Sequence, residues 1–317
     1  VLSIMVLQPK LPGKSPNRIV WRNLNGDATP LAIAEAAQAH TGLTVVLTDS
    51  MESTYRLEKN IQFFLAGTDI DVFQFPDQET LPYDVFSPLP ELTSVRLATL
   101  YRLPIQKQGV LVAPISTLMQ RLPPQSYLDH SSFLLNTGDT LNIDDSRRQL
   151  ESGGYQCVNL VQRHGEFSVR GSIVDFFPMG SSTPYRIDLF DDEVEAIYEF
   201  NPETQRSADK VKSIRILPTH EFPLTDEHIK QFRERYAKAF PSNLNKDPVY
   251  LNIKSGIPIG GIEYYLPFFF DQLSSLFDYL PKNTMLIETC DGSACATSFY
   301  QEIEDRYEQR RHNIERR

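Results

Sequence analysis

Arg186, Asp188 and Phe190 are the residues of this chain whose types and spacing most plainly do chemistry, and that chemistry is binding rather than bond-breaking. In Tyr185-Arg-Ile-Asp-Leu-Phe190 strand alternation puts Tyr185, Ile187 and Leu189 on one face and Arg186, Asp188 and Phe190 on the other. A polar face that carries a large aromatic beside an arginine has the make-up of a protein-binding hot spot. Just upstream, in Gly165-Glu-Phe-Ser-Val-Arg-Gly-Ser-Ile-Val-Asp-Phe-Phe-Pro178, Ser168, Arg170 and Ser172 form a second polar row. Read as one neighbouring strand, that segment places Arg170 across from the first row. The same pattern also fits a solvated sheet face with one stray Phe, since single exposed apolar residues are common.

Other groups that could do chemistry are poorly placed for it. Gly13-Lys14-Ser15 spells the end of a phosphate loop, but position 8, where the loop's first glycine belongs, is Gln8, and Pro12 and Pro16 flank it. The six histidines are scattered; His164 and His220 read as structural. Cys157, Cys290 and Cys295 are an odd count with no second pair to complete a zinc set, so buried or free thiols in a reducing cytosol are expected. Asp144-Asp145 and Asp191-Asp192 read as cap and turn residues. Neither H-E-x-x-H nor G-x-S-x-G occurs.

The elements that must position these residues divide the chain of 317 residues into three stretches. Residues 1–130 alternate short apolar strands, at 44–48, 71–75 and 109–113, with helical patterns at 30–40, 51–65, 91–102 and 115–121, which implies a parallel sheet covered by helices. Residues 131–217 alternate at period two, apart from a helix over 142–152, which implies an antiparallel α+β unit. Residues 218–317 are mixed helix and loop, where the apolar run 264–270 reads as core packing. The fold class expected is therefore α/β plus α+β. A net charge of −10 disfavours a surface that tracks phosphates. No apolar run approaches the ~18 residues of a membrane span, and the mixed-charge stretch 306–317 reads as a solvated helix end. The chain starts without Met and stops inside that helical pattern, so a piece of a longer protein is expected.

Residues 165–193 resemble the second domain of the excision-repair protein UvrB, and more closely that of the transcription-repair coupling factors (Mfd). Glu79-Thr-Leu-Pro-Tyr-Asp-Val-Phe-Ser-Pro88, Arg96-Leu-Ala-Thr-Leu-Tyr101, Gly109-Val-Leu-Val-Ala-Pro114, Thr117-Leu-Met-Gln-Arg121, Leu217-Pro-Thr-His-Glu-Phe222 and Gly261-Ile-Glu-Tyr264 extend the likeness. It covers nearly the whole chain, most weakly before residue 20 and after about 285. The resemblance implies a degenerate P-loop NTPase-like domain, with residues 131–217 inserted and residues 1–130 and 218–317 packing together.

Two departures from UvrB carry the functional expectation. Where UvrB has its phosphate loop, this chain has Asn25-Gly26-Asp27-Ala28-Thr29-Pro30. Thr29 replaces the phosphate-binding lysine, Pro30 the magnesium-holding hydroxyl and Ala28 a glycine, while Asp27 repels phosphate. Thr29 and Pro30 make an ordinary helix start, as an N-cap followed by proline. Where UvrB has a long aromatic hairpin that grips damaged DNA, this chain has only Pro76 to Pro90, rich in proline and acids. By resemblance the region is a non-catalytic module, without cofactor or metal, that recruits UvrA by mimicking UvrB.

Arg170, Arg186, Asp188 and Phe190 map onto the shared UvrA-binding surface, the arginines to pair with carboxylates, Asp188 to accept from a basic group and Phe190 to fill a pocket. Ser168 and Cys157 stand where UvrB has further arginines. In the whole family protein RNA polymerase, DNA and the protein's own C-terminal domain are the further partners implied. The resemblance implies that the whole family protein carries its ATP-driven translocase motifs further along, beyond residue 317, that it works in the bacterial cytoplasm, and that no membrane is involved. The competing expectation is a UvrB-like domain that binds DNA or ATP.

Overall fold

The computed structural model describes residues 7–13, 18–241 and 244–314. Along the chain run α1 (Ala28–Ala39), β1 (Leu43–Thr48), α2 (Met51–Phe64), β2 (Val72–Gln74), α3 (Pro90–Arg102), β3 (Gly109–Pro114), α4 (Ile115–Met119), α5 (Gln125–Ser131), β4 (Phe133–Asn136), α6 (Ile143–Ser152), β5 (Gln156–Cys157), β6 (Glu166–Arg170) and β7 (Ile173–Phe176). There follow β8 (Tyr185–Phe190), β9 (Glu193–Phe200), β10 (Ser207–Val211), β11 (Ser213–Ile216), α7 (Asp226–Ala239), α8 (Pro248–Lys254), α9 (Leu266–Phe269), α10 (Leu276–Tyr279), β12 (Thr284–Glu288) and α11 (Gly292–Ile314). No described helix is long and apolar enough to cross a membrane.

Two compact units result. The first comprises the described residues of Val1–Asp77, Arg102–Gln120 and Ser275–Glu302. It holds a parallel sheet in the order β12-β1-β3-β2. Every residue of β1 and of β3 is buried, as continuous apolar strands in a covered parallel sheet should be. Ile33, Ala34 and Ala37 of α1 and Ile61 of α2 pack with Val46, Val110 and Val112. The strand β12 lies in a stretch expected to be helix and loop. Its five residues, Thr-Met-Leu-Ile-Glu, form a sheet edge with only Met285 buried, so neither a period nor a buried run marks it. Only pairing with the distant β1 makes it a strand.

The start of α1 also departs from expectation. The helix begins at Ala28, with Asp27 at the cap in a helical backbone conformation and no side-chain cap bond, so Thr29 and Pro30 sit inside the first turn. Asn25 and Gly26 (φ 57°) form a turn whose Asn25 carbonyl accepts from the Ala28 N–H at 3.2 Å, and winding therefore begins earlier. Proline costs little there because first-turn N–H groups lack helical partners anyway.

The second unit comprises Gln78–Tyr101, Arg121–Ser274 and the described residues of Ile303–Arg317. It holds a six-stranded sheet in the order β10-β9-β8-β7-β6-β5 and a two-stranded sheet of β11 and β4. The large sheet is antiparallel except for β5 against β6. Residues 165–178, expected as one strand, are a hairpin: β6 and β7 are joined by Gly171 in a left-handed conformation (φ 64°). Alternation alone does not reveal a two-residue turn between two strands of like pattern, and Gly171-Ser172 was its only mark. Val174, Phe176 and Ile187 on the inner face, Leu150 of α6 and Ile216 of β11 line one apolar cavity of about 410 Å³.

The remainder of this unit is an aromatic core. Phe222, Phe232, Tyr236, Leu266 and Phe269 are buried together, so part of the apolar run 264–270 is core as expected. Arg96 of α3 and Glu221 form a wholly buried ion pair, with Nε to Oε1 at 2.6 Å and Nη2 to Oε2 at 3.2 Å. In α11, Arg306 pairs with the buried Asp84, and Tyr307 lies 5.2 Å from Tyr83, ring centroid to ring centroid. This part of the helix is anchored, not solvated throughout as its mixed charges suggested.

Candidate protein-binding face

The outer face of the six-stranded sheet carries the predicted residues. Cross-strand register aligns Lys210, Tyr198, Arg186, Asp175 and Ser168 in one row across five strands. The next row toward the far end holds Ala196, Asp188, Ile173 and Arg170. A register shift after Asp188 then brings Phe190 opposite Glu193, beyond which Asp191 (φ 57°) turns the chain. One end of this face is closed by Val158 and Val161, packed on Phe177 and Phe200. At the other end Arg170, Phe190 and Glu193 are exposed.

Alternation thus correctly put Arg186, Asp188 and Phe190 together. Phe190 is 74% exposed and belongs to no core cluster among the described residues. Asp188 keeps one carboxylate oxygen buried and without a hydrogen-bond partner among the described residues. Arg170 is not on the strand beside β8; it reaches the same face from β6, across β7.

Between the two arginines stands a residue the sequence reading passed over. Asp175, on β7, is 1% exposed and accepts from Arg186 Nε at 2.7 Å, from Arg186 Nη2 at 3.0 Å and from Arg170 Nη2. Arg186 also donates through Nη1 to the Gln205 carbonyl at 3.3 Å and to Ser207 Oγ at 3.2 Å. The bonds to Asp175, and the charge of Asp188 nearby, hold the Arg186 guanidinium protonated beyond its ordinary range. An aspartate in the otherwise apolar run Ile173-Val-Asp-Phe176 was the signal, because a buried carboxylate requires a paired cation. Tyr198 and Lys210 were missed for want of register; the Lys210 ammonium lies 5.8 Å from the Tyr198 ring centroid.

The positions beside this face behave as ordinary structure. Ser168 is buried and donates to the Asn159 carbonyl at 3.4 Å, and Cys157 is exposed with a free thiol. In the first unit Gly26, Asp27, Ala28, Thr29 and Pro30 form the turn and first helical residues described above. A cavity of about 520 Å³ lies alongside, lined by Trp21, Thr29, Ile33 and Met285 to Thr289. Of Gly13-Lys14-Ser15, only Gly13 lies within the described residues.

A second cleft in the larger unit, of about 510 Å³, has Ser87, His164, His220 and Glu263 in its wall. Loss of water around Glu263 pushes its carboxyl up to about 7, although Ser87 Oγ donates to it at 2.9 Å. Burial lowers His220, stacked on Phe222, to about 4. The signs differ. A raised carboxyl favours folding while protonated, so the Glu263 contribution is complete below pH 4.5 and is lost as pH rises through about 7. A lowered imidazole favours folding while neutral, so the His220 contribution is complete above pH 6.5 and is lost toward about 4. Glu263→Gln is therefore expected to raise the melting temperature by a few degrees at pH 8 and leave it nearly unchanged at pH 5. Calorimetry at the two pH values checks this; an equal shift at both would remove the carboxyl's ionisation as the cause.

Comparison with known proteins gives this face its relatives. Residues 133–222 match the family described as "UvrB interaction domain". The chain is 43% identical over 306 residues to the transcription-repair-coupling factor of Haemophilus influenzae, covering 96% of this chain and 26% of that protein. It is 40% identical over 301 residues to that of Escherichia coli, covering 95% and 26%, and 29% identical over 278 residues to that of Bacillus subtilis, covering 83% and 23%. The chain spans about a quarter of the length of these curated relatives. With a UvrB interaction domain that contains β4 to β11 and likeness along almost its whole length, this chain belongs to the transcription-repair-coupling factor family.

Proposed function

We propose that this chain is a docking module whose outer sheet face binds UvrA, with no catalysis of its own. Phe190 carries the reading: a large aromatic stands 74% exposed at the end of a face on which Asp175 pairs with Arg186 and Arg170. Asp188 beside it has a buried oxygen awaiting a donor, and Arg170 is half-exposed and able to meet a carboxylate. An aromatic anchor flanked by a charge of each sign suits a protein partner better than a nucleic acid, and the net charge of −10 agrees.

The whole protein would bring UvrA to stalled RNA polymerase in the bacterial cytoplasm, its other parts supplying the ATP-driven movement on DNA and a C-terminal domain that masks this face. On this reading the first unit is a degenerate P-loop NTPase-like domain that keeps the helix start at Asp27 to Pro30 and lacks the phosphate-binding lysine. Residues 131–217 would be an insertion, with residues 1–130 and 218–317 belonging to one domain.

Calorimetric titration of purified UvrA into the 317-residue chain tests the proposal. Micromolar or tighter binding is expected, weakened about tenfold by Arg170→Ala, in line with loss of a charged contact of ~1.4 kcal/mol. No heat of binding from the folded wild-type chain would end this reading.

A further inference from the structure

We infer that Asp175 is the positioning residue of this face: it holds Arg186 inward and aims Arg170 outward, so that Arg170, and not Arg186, meets the partner's carboxylate. The inference rests on the UvrA-docking reading and divides the labour within it. Asp175 sits on β7, between the strands that bear the two arginines, and both guanidinium groups converge on its carboxylate. Arg186 spends Nε and Nη2 on Asp175 and Nη1 on Gln205 and Ser207, and its side chain is 16% exposed. It cannot offer a two-pronged grip to a partner without stripping a carboxylate that is 1% exposed. Arg170 touches Asp175 through Nη2, and its side chain is 49% exposed.

The consequence is a fixed hand. A free arginine loses rotamer freedom when it binds, whereas one already held in place loses less, and the saving appears as affinity. Asp175 therefore acts on the partner through Arg170, without touching it.

The test is UvrA binding by Asp175→Asn, alone and combined with Arg170→Ala, beside wild type, Arg170→Ala and Phe190→Ala in the full chain. Asp175→Asn is expected to fold, to bind about tenfold more weakly, and to broaden or shift the Arg170 Nε–H signal in nitrogen-15 NMR of the free chain. Arg170→Ala should then cost little more in the Asp175→Asn background, because the two act as one device. If Asp175 were merely structural, the two losses would add. Should Asp175→Asn not fold, Asp175→Asn with Arg186→Gln removes both buried charges, and the same loss is expected from it. Wild-type affinity in Asp175→Asn, with Phe190→Ala still impaired, overturns the inference and leaves the docking reading intact. A wild-type chain that does not bind UvrA overturns both.

Discussion

Phe190→Ala is expected to lower affinity for UvrA about thirtyfold, ~2 kcal/mol, while changing folding stability by no more than ~0.5 kcal/mol. The two numbers separate because the ring lies 74% in water and fills no core cluster among the described residues. Removing it takes little from the folded chain, yet takes the largest apolar contact from a complex that buries it. Phe63 of α2 is the control: it is as exposed, at 75%, but lies in the first unit, so Phe63→Ala should leave affinity unchanged. Titration calorimetry and thermal unfolding of the two variants measure both quantities. Equal affinities for wild type and Phe190→Ala would remove this ring from the docking surface. Arg186→Ala is a poorer probe, since it leaves Asp175 buried beside a single half-exposed arginine and confounds binding with stability.

Arg96→Met carries the largest expected loss of stability, about 3–5 kcal/mol, because it leaves the Glu221 carboxylate buried without its cation. Arg96 and Glu221 are 0% and 2% exposed and share two hydrogen bonds, at 2.6 and 3.2 Å. Glu221 lies next to the last residue of the matched UvrB interaction domain, so the pair ties that domain's final segment to α3 within the same unit. Arg96→Met with Glu221→Leu should recover most of the loss, since two apolar side chains of similar size need no compensating charge. Urea unfolding followed by far-ultraviolet circular dichroism distinguishes the outcomes. A single variant as stable as wild type would mean that water reaches the carboxylate.

How much of this was readable in advance follows from the range of each interaction. Local patterns sufficed where neighbours in sequence decide the structure. The short, Val-rich apolar runs of β1 and β3 read as buried strands and are so. The Asn142 side chain accepts from the Asp145 N–H and starts α6 within a residue of where the spacing put it. Alternation along β8 placed Arg186, Asp188 and Phe190 on one face before any fold was known, because a strand's period is two whatever surrounds it. The family blocks from Glu79 to Tyr264 then supplied the partner's identity as an expectation.

What local pattern could not supply is everything set by register and distance. Asp175 becomes the clamp of both arginines only because β7 lies between β6 and β8, and a shift of one residue would turn it to the other face. The edge strand β12 exists through its pairing with β1, from the far end of the chain. Arg96 and Glu221 find each other across 125 positions of sequence. The sequence by itself determined which side chains share a face and that one of them is an aromatic in water. Tertiary structure alone decided which arginine is enclosed and which reaches into water, because a buried charge is satisfied by whatever the fold brings within about three ångströms, and sequence spacing carries no record of that distance.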